Sequence, residues 1–284
     1  MMNEKVKKEY LFASDFDQTL SFNDSGFVLS EMLGIPAHEF ERKAHGMAKL
    51  NLVQQGAELS YLLLHDPQFR HVRREHLMEV GKRIPLKEQI HLLYKILDKG
   101  VPGYHFNFYV LSAAPAEIVQ SALEGIVPPD HIYGTEFKYR SGGEIETIVN
   151  VTAGYGKVAR LMQLQEELQI GPDRVVYAGD GSSDVHAMLH VNRDAGLTIA
   201  VSEARDVTQI AKRTVLSANA LAMLVPILEE VAGWHQPEIH EFFEGNGFLV
   251  REWARARTDW LTLRPAKNER ADDAAKIEGP EYVA

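Results

Sequence analysis

Residues 11–20 read LFASDFDQTL, a short apolar run that stops at two carboxylates, Asp15 and Asp17, with Thr19 two places further on. Four apolar or small residues bounded by polar ones suit a fully buried parallel strand, although periodicity alone leaves a turn of helix open. Ligands of open parallel sheets sit beyond the carboxyl ends of the strands. Asp15 would then face that crevice, and Asp17 would reach the same ligand if the chain turns at Phe16 and Gln18. Taken alone, the stretch reads as well as an acidic loop closing a strand.

A second stretch of the same form lies at residues 174–184, RVVYAGDGSSD. Val175, Val176, Tyr177 and Ala178 make another short apolar strand that ends in carboxylates, Asp180 and Asp184, with Gly179 and Gly181 free to turn sharply or to approach a ligand. Two such strands at one sheet edge would gather several negative charges, which is unfavourable unless a cation neutralises them. Ligands that are all oxygen favour a hard ion, magnesium first.

These residues resemble the motif set of the haloacid dehalogenase superfamily, in its phosphatase branch. Its DxDxT signature matches Asp15, Asp17 and Thr19; its GDGxxD signature matches Gly179, Asp180, Gly181 and Asp184. A strand ending in a hydroxyl residue matches at Tyr109 to Ser112, and the single motif lysine at Lys157, 23 residues before Asp180. Each motif is short, and their order from Asp15 to Asp184 is what gives the resemblance its weight.

Composition sets the frame. The chain has 284 residues, 45% of them hydrophobic, enough for a proper core in one large or two modest domains. It has no cysteine, so disulfides and thiolate metal sites are excluded. The start, MMNEKVKKEY, runs into too few apolar residues for a signal-peptide core. The longest apolar run, residues 220–228, is far short of a membrane span and is interrupted by Pro226. A formal charge of −10 argues against nucleic acid or an anionic membrane as partner. The cytoplasm is the expected compartment, and self-association is left open.

Between Ser21 and Arg83 strand-like runs give way to helical spacing, as in Phe27, Leu29, Met32, Leu33 and in Leu52, Leu59, Leu62, Leu63. Breaks are expected at Gly34-Ile35-Pro36, Asp66-Pro67 and Gly81. The resemblance makes this insertion a helical cap over the active site, of the type found in enzymes like phosphoserine phosphatase. From residue 84 the core resumes. A helix is expected over Pro85–Lys99, a strand to Ser112, and a helix opened by Pro115. A short strand follows at His131–Gly134, then a hairpin with Glu136–Tyr139 and Glu144–Ile148 flanking Ser141-Gly142-Gly143. A helix from Lys157 stops at Gly171-Pro172, Leu197–Val201 is the last strand, and 217–232 the final core helix. This alternation predicts an α/β fold, a three-layer Rossmann-like parallel sheet core with right-handed crossovers and an inserted helical cap. The expected division is core at 1–22 and 84–233, cap at 23–83, and an extension at 234–284. In that extension Phe242, Phe243, Phe248, Trp253 and Trp260 imply packed helix, and residues from Arg264 resemble a flexible tail.

What the resemblance implies for chemistry is specific. Asp15 would be the nucleophile, forming an aspartyl phosphate, and Asp17 the acid that protonates the leaving alcohol and then deprotonates water. Magnesium would be held by the Asp15 carboxylate, the Asp17 carbonyl and Asp180, with Asp184 behind it holding a bound water or Lys157. Ser112, the Ala113 amide and Lys157 would bind the phosphoryl oxygens. A P-loop reading of Gly154-Tyr155-Gly156-Lys157 fails, because residues 151 and 158 are both Val. His186 and His190 share a helix face without a third ligand and read as ordinary helix histidines. The expected partner is a small phosphorylated metabolite. A regulatory phosphate-binding module and phosphotransfer to a sugar are the competing functions.

Specificity is where resemblance and residues diverge. Asp24 stands about where phosphoserine phosphatases place an acid for the substrate ammonium. Their cap arginine for the substrate carboxylate has no counterpart: if Lys49-Leu50-Asn51-Leu52 is aligned with their cap, its position falls on Ala57, with no arginine until Arg70. Arg42 or Lys49 would have to fold back to replace it. Phosphoserine is therefore expected to be a poor substrate, and another small phosphorylated alcohol or amino alcohol a better one.

Overall fold

The structure is a computed structural model that describes residues 7–49 and 55–250. Leu50, Asn51, Leu52, Trp253, Trp260 and the stretch from Arg264 lie outside the described residues. The chain divides into two compact units between Ile239 and His240.

The first strand, β1 (Lys8–Ser14), is the axis of the fold. Its apolar half is buried because both neighbours pair with it, so residues facing either side meet core. Leu11 and Ala13 share one apolar layer, while Phe12 stacks on Phe108 at 5.1 Å between ring centres. Burying one such ring stabilises the fold by roughly 1.5–3 kcal/mol. Beyond β1 come four helices of the insertion: α1 (Ser25–Met32), α2 (Ala37–Lys49), α3 (Glu58–His65) and α4 (Arg74–Arg83). Gly34, at φ 71°, and Asp66 mark the breaks foreseen between them.

Gly81 marks no break. It sits inside α4, where an added Cβ would fall 2.3 Å from the Ile118 carbonyl oxygen and 2.7 Å from Ser121 Cβ. Close approach of two helices, not chain reversal, explains the glycine. The helix expected from Pro85 is also shorter, α5 (Ile90–Lys95) continuing as a wider π turn, Ile96–Gly100. Residues 85–88 are instead extended, because Phe22 N–H donates to the Pro85 carbonyl, Lys87 N–H to Leu20 and Glu88 N–H to Ala218.

The core continues through β2 (Tyr104–Pro115), α6 (Ala116–Ala122), β3 (Ile132–Tyr139) and β4 (Ile145–Asn150), the last two forming the expected antiparallel hairpin. Helix α7 (Tyr155–Leu168) ends at Gln169, whose φ of 54° caps it before Gly171-Pro172 is reached. Then follow β5 (Val175–Gly179), α8 (Val185–Arg193), β6 (Leu197–Ala200), α9 (Arg205–Thr208) and β7 (Arg213–Thr214). The two-residue β7 lies beyond the strand expected to be last; too short for a hydrophobic signal, its Arg213 pairs with Glu229 and Glu230. The helix expected over 217–232 begins as a 3₁₀ turn, Ala220–Met223, and becomes α10 (Leu224–Glu230). Helix α11 (Gln236–Gly245) carries Phe242 and Phe243, and Phe248 follows it.

Seven strands form one sheet in the order β4-β3-β2-β1-β5-β6-β7, parallel except for the β3–β4 pair. Leu161, Leu164 and Met188 of α7 and α8 cover the Leu11 side, and Tyr94 of α5 meets Phe108 on the other. The chain leaves β1 in one direction, to β2 and β3, and later returns to its opposite edge through β5 and β6. A crevice opens where the winding reverses, beyond the carboxyl ends of β1 and its neighbours. No helix among the described residues is long and apolar enough to cross a membrane.

Candidate active site

Asp15 stands at that reversal. Its N–H donates to the Ala178 carbonyl at 2.9 Å, so β5 still grips the chain as the carboxylate leaves the strand. The turn foreseen at Phe16 and Gln18 is there. The Phe16 carbonyl accepts from the amides of Thr19, Leu20 and Ser21, and Gln18 takes a φ of 56°. That conformation is uncommon for a residue with a side chain, and Asp17, inside the same turn, feels the charge of Asp15.

The floor of the crevice is built around Lys157, which is fully buried. Its Nζ lies 2.6 Å from Asp184 Oδ1 and 2.9 Å from Asp15 Oδ1, the second contact close enough for an ion pair but not aligned as a hydrogen bond. Burial alone would lower the lysine's pKa; the charges of Asp15 and Asp184 outweigh it and raise it. Asp184 also accepts from the Tyr177 hydroxyl and from the amides of Asp180 and Gly181. Gly179 makes room for it, since a Cβ there would fall 2.4 Å from Asp184 Cγ.

One carboxylate oxygen from each of Asp15, Asp180 and Asp184 lies within 4.8 Å of the others. Burial, then the neighbouring charge of Asp184, pushes Asp15 up to about 6 against the opposing pull of Lys157. Burial, then Asp15 and Asp184, holds Asp180 well above the usual carboxylate range. These acids carry more negative charge than one lysine offsets, and an oxygen-only set of this kind fits a divalent hard cation. With both oxygens of Asp184 already taken by donors, Asp15 and Asp180 are the carboxylates left to hold it.

The entrance is different. Asp17 Oδ1 accepts from the buried Ser25 hydroxyl at 2.6 Å, and burial followed by the charge of Asp24 raises its pKa well above normal. Asp24 is the N-cap of α1, its Oδ1 accepting from the amides of Gly26 and Phe27, and burial raises it too. Glu58, at the start of α3, is raised by burial and feels Asp24. Above the floor Gly56, at φ 91°, brings the insertion down onto the core: a Cβ there would meet Ser183 Cβ at 2.9 Å and Ala113 Cβ at 3.1 Å.

The remaining sequence candidates are less committed. Ser112, expected to end its strand, is buried inside β2, which runs on to Pro115; its Oγ accepts from the Ala114 amide, and the Ala113 carbonyl accepts from Thr135. Thr19 is buried with no partner for its hydroxyl. His186 packs its ring on Tyr155 at 4.1 Å and is not a member of the acid cluster found among the described residues. Four residues at or near the site escaped the sequence reading: Ser25, Glu58, Tyr177 and Lys87. Burial lowers the pKa of Lys87, with Asp180 opposing. Only the hydroxyl of Tyr177, polar in an apolar run, left a trace that could have been followed.

A reversing parallel sheet with acids and a buried lysine at its switch point defines a Rossmann-like α/β protein with an acid-rich centre. The chain belongs to the haloacid dehalogenase-like hydrolase family, whose model matches residues 12–189. Its fold is that of a solved phospho-aspartyl intermediate analogue of phosphoserine phosphatase, 20% identical, TM-score 0.62, covering 79% of this chain and all of that one. A phosphoserine phosphohydrolase-like protein from Francisella tularensis is 19% identical, TM-score 0.59, over 76% of this chain and 99% of that one. A family hydrolase from Salmonella enterica serovar Typhi is 18% identical, TM-score 0.61, over 78% and 72% of the two chains. No curated protein matches the sequence.

Proposed function

We propose that the protein is a magnesium-dependent phosphomonoesterase acting on a small phosphorylated metabolite through an aspartyl phosphate. The observation that carries this is Asp15, buried at the switch point, 2.9 Å from a lysine that is itself locked by Asp184. Asp15 attacks phosphorus in line with the ester oxygen. Asp17, whose hold on a proton is strengthened by burial and then by the charge of Asp24, gives its proton to the departing alcohol. In the second step Asp17 takes a proton from water, whose oxygen attacks phosphorus and frees Asp15 and phosphate. Lys157, Ser112 and the Ala113 amide hold the phosphoryl oxygens while charge shifts among them. Magnesium, held by Asp15, Asp180 and the Asp17 carbonyl, would neutralise the phosphoryl charge.

On the leaving-group side the charges acting on Asp17 and Glu58 are those of other carboxylates. That lining favours a neutral alcohol or an amino alcohol over a substrate that carries its own carboxylate. Arg42 and Lys49 lie along one open face of α2 with His38, Glu41 and His45. The test is a screen of phosphorylated metabolites with the purified protein and magnesium. Phosphate release from an alcohol or amino alcohol ester, ahead of phosphoserine, is expected. Phosphoserine as the best substrate would make the protein a phosphoserine phosphatase, and no turnover of any ester would leave a regulatory phosphate-binding module.

A further inference from the structure

Asp184 is held by four donors, and one of them is not a motif residue. Its Oδ2 accepts from the amides of Asp180 at 3.0 Å and Gly181 at 3.2 Å. Its Oδ1 accepts from Lys157 Nζ and from the Tyr177 hydroxyl, both at 2.6 Å. Tyr177 is wholly buried in the apolar layer with Leu11, Leu161, Leu164 and Met188. A phenylalanine would fill that place as well, so packing does not account for the hydroxyl. Nor is it needed to satisfy Asp184, whose Oδ1 already has the lysine. Burial, then the charge of Asp184, raises the phenol's pKa, so that it stays a donor.

Two consequences follow from its position. With Oδ2 tied to two amides and Oδ1 to a strand-borne phenol, the carboxylate cannot rotate. And because Lys157 shares Oδ1 with a second donor, its hold on Asp184 is weaker than in a lone pair, leaving its charge for Asp15, 2.9 Å away. We propose that Tyr177 is a positioning residue: its hydroxyl fixes the Asp184 carboxylate and so sets how Lys157 is divided between Asp184 and Asp15. This rests on the phosphatase reading for its kinetic readout, though not for its geometry.

A double-mutant cycle of Tyr177→Phe and Asp184→Ala tests it, with Asp184→Leu, which likewise has no acceptor, in place of Ala if that variant fails to fold. In the wild-type background Tyr177→Phe should lower kcat on p-nitrophenyl phosphate about tenfold, as expected for losing a hydrogen bond to a charged group, with KM changed far less. In the Asp184-substituted background the same change should have little further effect. An unchanged kcat in Tyr177→Phe, or the same fold-loss in both backgrounds, overturns the proposal. If the wild-type protein turns over no ester, the phosphatase reading has failed separately. The cycle is then read in melting temperature, where coupling supports the link from Tyr177 to Asp184 and additivity removes it.

Discussion

The floor and the entrance of the site are both acidic, and they handle their charge in opposite ways. On the floor, Lys157 sits between Asp15 and Asp184, and each oxygen of Asp184 has two donors. At the entrance, Asp17 has a serine hydroxyl, Asp24 has two backbone amides, and the charges that Asp17 and Glu58 feel are those of other acids. Burial raises the acids of both regions, but on the floor Lys157 pulls Asp15 and Asp180 back down, while at the entrance the charges on Asp17 push it further up. One short turn, Asp15 to Asp17, separates the two regimes.

Removing the floor's nucleophile should have the largest effect. Asp15→Asn is expected to abolish steady-state phosphate release, a loss of ~10⁴-fold or more as for other covalent nucleophiles, and a chelator should do the same. Near-normal turnover by Asp15→Asn would erase the distinction between the regions. Next comes the entrance acid: Asp17→Asn should cost an alkyl phosphate ~10²–10⁴-fold in kcat and an aryl phosphate much less, since a phenolate leaves with little help. Equal losses on both ester types would show that Asp17 is not the proton donor.

Gly56→Ala probes the contact between the regions. An added Cβ would meet Ser183 and Ala113 Cβ at 2.9 and 3.1 Å from a φ of 91°, and overpacking of about 1–3 kcal/mol falls on this contact rather than on the sheet core. A loss of about tenfold in kcat/KM with a nearly unchanged melting temperature is expected; unaltered kinetics would mean that the insertion need not close for turnover.

The smallest effect is on stability. Asp15 is raised to about 6 and Asp180 also upward, so the folded protein binds more protons than the unfolded chain, whose carboxylates titrate near ~4. Their favourable contribution is fully present below that value and is lost as pH rises through about 6. In chelator, the melting temperature should therefore fall between pH 4.5 and 7 by a few degrees more than in Asp180→Asn. Magnesium should recover more at pH 7.5 than at pH 5. An identical pH profile in the two proteins would place the strain elsewhere.

The floor's acids could be read in the sequence because they lie just beyond strand ends, where backbone pattern and carboxylate spacing coincide, whereas Lys157, inside α7, was legible only through the family resemblance. Asp15, Asp180, Asp184 and Lys157 come together as expected, and Asp184 holds Lys157. The entrance was less legible. Glu58 reaches Asp24 only through tertiary folding of the insertion, and Ser25 meets Asp17 because Asp24 starts α1 one residue earlier. Gly81 misled, since a glycine that admits a neighbouring helix and one that ends a helix look alike in one dimension. The extended 85–88 segment was hidden for the same reason: its partners, Leu20, Phe22 and Ala218, are remote in sequence.

Gly81 has one more consequence, for how the molecule breathes. With α4 seated on α6 so closely that no methyl group fits, and with Arg73 and Arg74 joined to the β-hairpin through Glu144 and the Gly143 carbonyl, this last helix of the insertion is mechanically part of the sheet layer. The stretch inserted into the chain and the stretch expected to open are then different lengths. In hydrogen exchange, amides of α4 should be protected on the slow timescale of β1 and β2, while those of α1 to α3 exchange together through a shallower opening.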